Sequence, residues 1–531
     1  MRSASTLLLS LLACLSGCGV PPRPAATAVI ASGADLESAN PLVTVHPMSR
    51  QVQRHALFVT LVRLDSLLQP IPYYARSWEW DPAHQVLTFF LHRDLQWHDG
   101  VPTTAEDARF TFESLRNKGL GAPRAGDVAA VTKVQALTDS TLQFTFNAPQ
   151  PAFPVIFAEM PLVPAHLLDT VPLSRWRAHA FSTNPTGNGP FKFAERVAGR
   201  RWRFVRNDDF PESMGGAPAL RQFVVAVVDE AATKFAGLVS GELDMAGISP
   251  SMADLVKGDS TLQLETPPAL FSTVMAFNTT RAPFDDARVR QAVALSIDRQ
   301  RVVDAAVAGY GTPAGSVIPP GVPVSLRRVP VVDTKRADSL LDAAGWPRGA
   351  TGVRARNGVE LHVALITVGS GDMAAEQLLQ ADLRARGITL DVQVRELATF
   401  LSIVRASKKA FDAAYVGIPG DLGLGHIVAM FQSTQSGGAL DYTGFHSSAL
   451  DSALIRARTA PAGLAAFGAW QYVDSLLQVG NPVVWIYHSR GVQGRSRKLQ
   501  HVVMDLRGEL TSIARWERND GPRNPRDTPR N

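Results

Sequence analysis

Three neighbouring stretches decide the fold class: Leu361-His362-Val363-Ala364-Leu365, the segment Ala374 to Arg386, and Ile388-Thr389-Leu390-Asp391-Val392-Gln393-Val394. Leu361, Val363 and Leu365 alternate with period 2, as a half-buried strand does. Ala374 to Arg386 has helical periodicity and is stopped by Gly387. Ile388, Leu390, Val392 and Val394 then alternate again. Strand, helix, strand at this spacing predicts a parallel crossover pair, because parallel neighbours need a long return connection. The expected class is α/β.

Similar switching between periods 2 and 3.6 runs along the chain beyond Thr27. Gln85 to His92 (QVLTFFLH) reads as a strand, followed by Leu95-Gln96-Trp97-His98 and the turn signal Asp99-Gly100. Sheet with a tight turn is expected there. Thr104 should cap a helix with Asp107 at its third position, placing Ala105, Ala108, Phe112 and Leu115 on one face. A second helix is expected from Asp285, with Val289, Ala292, Val293 and Ile297 on one side. A third carries Ala337, Leu340, Leu341 and Ala344 and ends at Gly345.

The chain has 531 residues, 45% apolar, 19% charged and 8% aromatic. That is globular composition in roughly two to four domains. The net charge is +5 and no run of five Lys or Arg occurs, so no nucleic-acid footprint is present. Two cysteines exclude a disulfide scaffold and multi-cysteine metal sites.

Arg2 and the leucines from Leu7 to Leu12 form a start too short for the ~20 residues of a membrane span, and read as a signal peptide over residues 1–17. Leu15-Ser16-Gly17-Cys18 resembles the bacterial lipoprotein processing box. That resemblance implies cleavage before Cys18 and a lipid on Cys18. Cys14 would be discarded, so no unpaired free thiol would remain. Residues 18–28 are Pro- and Ala-rich and read as a tether; residues 520–531 read as a flexible polar tail.

No nucleophile elbow, Walker-type loop or His-Glu-x-x-His occurs. Gly187-Asn188-Gly189-Pro190 and Gly423-Leu424-Gly425 read as turns, and His92 and His98 as exposed polar positions on a sheet edge. Asp208-Asp209 and Asp285-Asp286 read as loop and helix-cap residues. No catalytic residue, metal site or cofactor is expected.

An ordered set of segments carries a family resemblance. It runs through Asn40-Pro41, Ala75-Arg76-Ser77-Trp78-Glu79, Leu91 to Gly100 (LHRDLQWHDG) and Thr104 to Ala108. It continues through Asn184 to Phe191 (NPTGNGPF), Ser240 to Asp244 (SGELD), Phe277-Asn278, Pro283 to Ala292 (PFDDARVRQA) and Ala343 to Trp346 (AAGW). Together they resemble family 5 of the extracellular solute-binding proteins, the peptide- and nickel-binding receptors of ATP-binding-cassette importers. Arg288 and Arg290 are expected in ion pairs or surface contacts.

The resemblance implies a two-lobed periplasmic-binding-protein-like fold, class II and of the three-region peptide-binding type, with the ligand cleft between lobes. The expected lobe I is 29–60 plus 184–273 plus 489–519, the inserted subdomain 61–183, and lobe II 274–488. The apolar stretches Val274 to Asn278 and Val483 to Tyr487 are expected as the strands crossing between lobes. It also implies a monomer that is not an enzyme, anchored by lipid on the periplasmic or outer face of a membrane. Its partners would be a small solute and an inner-membrane permease.

The family's peptide binders carry a Gly-x-x-Gly-Asp-like segment whose Asp pairs with the peptide's amino group. Gly417-Ile418-Pro419-Gly420-Asp421 matches that spacing, so Gly417, Ile418, Pro419 and above all Asp421 are the candidate ligand-binding residues. Ile418 stands where many relatives have an aromatic, and Gly423-Leu424-Gly425 replaces the Gly-Asp-Pro that often follows. Thr367 to Asp372 replaces the Arg-Pro-Tyr stretch of dipeptide receptors. An oligopeptide, a nickel chelate, another cation or a sugar all stay open as ligands, and a secreted hydrolase is the alternative from another class.

Overall fold

A computed structural model describes residues 24–520 apart from 45, 370–372, 407 and 439. Cys18, the signal peptide, residues 370–372 and the tail after Asp520 lie outside the described residues.

Three larger sheets organise the chain. The first has seven strands in the order Leu262–Glu265, Gln493–Ser496, Met245–Gly247, Thr27–Ser32, Gln222–Val227, Arg201–Arg206, Phe191–Val197. Its central strand TAVIAS is buried along nearly its whole length and runs parallel to Gln222–Val227, with Ile30 opposite Val225. A continuous apolar run suits a strand covered on both faces. The second sheet has six strands: Gly311–Pro313, Val483–Arg490, Pro268–Phe277, Ala413–Pro419, His362–Thr367, Thr389–Val394. The third is antiparallel, Ala75–Trp80, Val86–Leu91, Thr141–Phe146, Val131–Thr138, and all four of its strands fall between residues 75 and 146.

The crossover unit is present. His362–Thr367 runs parallel to Thr389–Val394 with Leu365 opposite Val392, joined through the helix Ala374–Arg384. That helix buries Ala375, Leu379 and Leu383 against the sheet. Gly387 takes φ +78°, and a Cβ there would lie 2.6 Å from the Gly352 carbonyl oxygen. The helix Ala105–Arg116 begins with the expected capping box between Thr104 and Asp107. The helix Ala287–Ser296 is capped by Asp286, one residue after the expected start.

Several local expectations are corrected. Leu95 to His98 is not a strand: only Gln96 bridges Pro102, because Trp97 turns inward and packs edge-on to Phe58. His98 is not an exposed edge residue. Its Nε2 donates to the Gly189 carbonyl at 3.0 Å, and burial pushes its pKa down to about 4. Gly187 and Gly189 are glycines because of close approach: a Cβ would meet the Leu57 carbonyl oxygen at 2.1 Å or the Ala56 carbonyl oxygen at 2.5 Å. Arg288 pairs with Asp286 at 2.7 Å as expected, but Arg290 is buried and donates to the backbone carbonyls of Gly480 and Phe284.

The chain passes between the first and second sheets twice, at 266–267 and at 491–492. The two passages lie side by side. Gly491 N donates to the Pro267 carbonyl at 2.8 Å, and the Arg490 guanidinium donates to the Thr266 carbonyl. The apolar stretches at 274–278 and 483–487 are therefore not the passages themselves. Val274, Met275, Ala276 and Phe277 are fully buried in the middle of the second sheet, where their apolarity is needed to fill cores on both faces.

Candidate functional site

Segments far apart in the chain, around Arg50, Arg124, Glu159 and Asp421, meet at one charged junction. The first lobe supplies the helix Pro47–Val52, which begins with Pro47 in its first turn and His46 as its cap. A wider π-turn, Gln53–Leu57, continues it, closed by Phe58 N donating to the Gln53 carbonyl at 3.0 Å. Arg50 and Arg54 thus stand one turn apart on one face, where like charges repel unless a carboxylate is shared. The inserted region supplies that carboxylate from the short helix Ile156–Glu159. Glu159 lies 3.0 Å from Arg54, 3.6 Å from Arg50 and 2.7 Å from Arg124. Burial alone would raise the Glu159 carboxyl, but the charges of Arg124, Arg54 and Arg50 outweigh it and hold it below the ordinary carboxylate value. Arg124 also pairs with Asp127 at 2.6 Å.

Asp421 reaches this junction from the second lobe, just after the strand Ala413–Pro419. Its charge acts on Arg50, Asp127 and Glu159, so it sits within electrostatic range of the opposite lobe. Locally it caps the helix Gly425–Phe431. One oxygen accepts Gly425 N at 2.9 Å; the other accepts His426 N at 2.9 Å and faces His426 Nδ1 at 3.2 Å. Burial opposes ionisation, yet His426 and these backbone donors hold the carboxyl well below its usual range. The side chain is 27% exposed. A carboxylate offers about four lone-pair sites. Two are engaged by backbone donors, so acceptor capacity remains on the exposed part of the side chain.

The other expected site residues separate. Ile418 points into the second-lobe core at 1% exposure, so its side chain presents nothing to a ligand. Pro419 is exposed. Gly417 lies beneath an aromatic ring: a Cβ there would be 2.1 Å from Phe271 Cζ. Phe271, paired with Pro419 across the strands and 41% exposed, is a lip residue that the sequence reading missed. Arg50, Arg124 and Glu159 were missed too, since each comes from a different segment. Only the alternation of Arg50 and Arg54 at helical spacing was visible as a signal. Among the described residues, no three His, Cys, Asp or Glu side chains converge as metal ligands.

The model of bacterial extracellular solute-binding proteins, family 5, matches residues 69–438. A Brucella ovis protein named as an ABC transporter peptide-binding protein is 28% identical over 339 residues, covering 62% of this chain and 61% of that relative. The chain thus matches about three-fifths of that relative's length. NikZ from Campylobacter jejuni, solved with Ni(L-His), aligns with TM-score 0.79 at 22% identity, covering 93% of this chain and all of that one. AppA from Bacillus subtilis, solved with a nonapeptide, aligns with TM-score 0.78 at 21% identity, covering 93% and 98%. The fold is that of the two-lobed binding proteins. With the family model matching well over half of the chain, including Asp421, the chain belongs to family 5 of the bacterial extracellular solute-binding proteins.

Proposed function

We propose that this protein captures a small peptide-like solute between its lobes and hands it to the permease of an ATP-binding-cassette importer. The observation that carries this is the partly exposed Asp421 carboxylate, in electrostatic range of Arg50, Asp127 and Glu159 from other segments of the chain. A carboxylate in that position suits the free amine of a peptide. Charge-assisted hydrogen bonds strengthen when closure removes water. Two short adjacent passages at 266–267 and 491–492 suit a hinge, which needs only a few residues to absorb the motion. The work is binding and closure, with no covalent step. The protein acts outside the cytoplasm as a monomer, held to the membrane by lipid on Cys18; a Cys18→Ala chain should leave the membrane fraction.

Calorimetry and small-angle scattering test the main point together. Tri-alanine or a mixed tripeptide pool should bind and shrink the radius of gyration, and should raise the melting temperature by mass action. Binding of Ni(L-His) or a sugar with no response to any peptide would overturn the peptide assignment. An unchanged radius at saturation would overturn closure.

A further inference from the structure

A cavity of about 590 Å³ shares Arg54 with the junction and has Leu422, next to Asp421, in its wall. Its charged lining is one-sided. Arg54, Arg63, Arg507 and Arg515 border it together with His55, against the single carboxylate of Asp65. Arg54 is committed to Glu159, and Arg507 is paired with Asp505 at 2.6 Å. Asp65 spends one oxygen on the backbone N–H groups of Leu67 and Gln69 in its own turn. Arg63 lies 3.5 Å over the Tyr73 ring. Among the described residues, neither Arg63 nor Arg515 has a carboxylate within ion-pair distance. The remaining walls include Ile71, Phe210 and Met214.

The field inside is positive enough to act on its neighbours. Burial first, then the Arg54 and Arg63 charges, hold the His55 pKa well below its ordinary value. Two guanidinium groups without a carboxylate partner, Arg63 half-buried over Tyr73 and Arg515 exposed, beside apolar side chains match an oxyanion carried on an apolar body, because a guanidinium bonds carboxylate or phosphate through two parallel donors. The volume falls within the ~300–1,000 Å³ of small-molecule sites.

We propose that this cavity is an anion site for a small amphipathic solute, with the carboxylate or phosphate on Arg63 and Arg515 and the apolar part against Ile71, Phe210 and Met214. It does not require an amine at Asp421, so it stands apart from the cleft assignment.

Titration calorimetry at low salt on the whole protein tests it with hexanoate, hexyl phosphate, inorganic phosphate and hexylammonium. Hexanoate or hexyl phosphate should bind saturably, and the tighter of the two identifies the headgroup. The double variant Arg63→Gln with Arg515→Gln, and separately Ile71→Glu on its exposed edge strand, should each weaken binding about tenfold or more. Hexylammonium should not bind. Anion binding that survives Asp421→Asn while tripeptide binding is lost would support a separate site. Failure of both hexyl anions, equal binding of hexylammonium, or a loss below about twofold in both variants would overturn the proposal. Inorganic phosphate binding as tightly as hexyl phosphate would overturn the apolar half of it.

Discussion

Ser272 and His488 face each other on the paired strands next to the inter-lobe passages, hydroxyl oxygen to Nδ1 at 2.8 Å. The other ring nitrogen, Nε2, lies 3.0 Å from the Ser316 carbonyl oxygen. A carbonyl only accepts, so Nε2 carries the proton and the Nδ1 lone pair accepts the Ser272 hydroxyl. The ring is 3% exposed. Burial pushes its pKa down to about 4, with the Ser316 carbonyl opposing and the His426 charge adding to the depression.

Acid should therefore weaken the fold in a specific window. The unfolded chain takes this proton near the ordinary 6.5 and the native ring only near 4. Stability from this ring is complete above pH 6.5 and falls as the pH drops toward 4, by roughly 3 kcal/mol. His98, also pushed down to about 4 by burial, adds a parallel loss. Urea midpoints measured from pH 7 to 4 should fall, and His488→Gln should flatten part of the slope. A midpoint constant between pH 7 and 5 would show that neither ring is buried neutral.

Glu159 is the next most exposed to test. It is the only carboxylate paired with Arg54 and Arg50 among the described residues, while Arg124 keeps Asp127. Glu159→Gln preserves shape but leaves buried guanidinium charge uncompensated, at a cost of about 3 kcal/mol. The sign with pH is the acidic one: a carboxyl held below its ordinary value stabilises fully above that ordinary value, and the contribution is lost as pH falls from there through the lower native value. Denaturation should give a large loss at pH 7 that narrows in acid. A variant as stable as the parent at pH 7 would mean that the Arg residues are already solvated.

Gly417 and Phe271 should behave as one unit. Gly417→Ala would place a methyl group 2.1 Å from the ring and force it aside, at a cost of about 1–3 kcal/mol. Phe271→Ala should cost less, because the ring is already 41% exposed. In the double variant the clash disappears, so the two effects should not add. A double-mutant cycle on melting temperature and on tripeptide affinity reads this directly. Strict additivity would mean that the ring moves freely off Gly417.

The legible parts of the fold were those written locally. The crossover at 361–394 and the Thr104 capping box follow from period, cap chemistry and a terminal glycine within about thirty residues. The lobe passages were displaced because apolarity marks burial, and the most buried stretches are the sheet centres around Met275 and Val484. The passages themselves, Thr266-Pro267 and Gly491-Val492, are short and carry a Pro and a Gly with no periodicity to read. Asp421 was visible as a spacing, but its helix cap depends on Gly425 and His426 folding back. Arg50, Arg124 and Glu159 come from segments more than thirty residues apart, and no local pattern announces their meeting.

Asp421→Asn separates two roles that the geometry joins. The carboxylate caps the helix Gly425–Phe431, and an amide keeps one acceptor oxygen but turns its nitrogen toward a backbone donor. Asp421 accepts the first two N–H groups of that helix from three residues before its N-cap Leu424, and loss of such a capping acceptor costs about 0.5–2 kcal/mol. The carboxyl sits well below its ordinary value, so its stabilising share is constant at neutral pH and is lost only as strong acid protonates it. Protonation of Asp421 itself should thus add no pH dependence to the difference between parent and variant from pH 5 to 8. Ligand affinity answers separately. If the remaining acceptor capacity holds the solute's ammonium group, the variant leaves that charge buried and unpaired, costing roughly 2–5 kcal/mol, about thirtyfold to several-thousandfold in affinity. A variant with the stability loss but less than about a threefold loss of tripeptide affinity would make Asp421 a helix cap alone, with the solute's amine placed elsewhere. Asp127→Asn is the companion variant: at 37% exposure Asp127 faces the same space and would then carry the affinity loss, together with a stability loss of its own because it is paired with Arg124 at 2.6 Å.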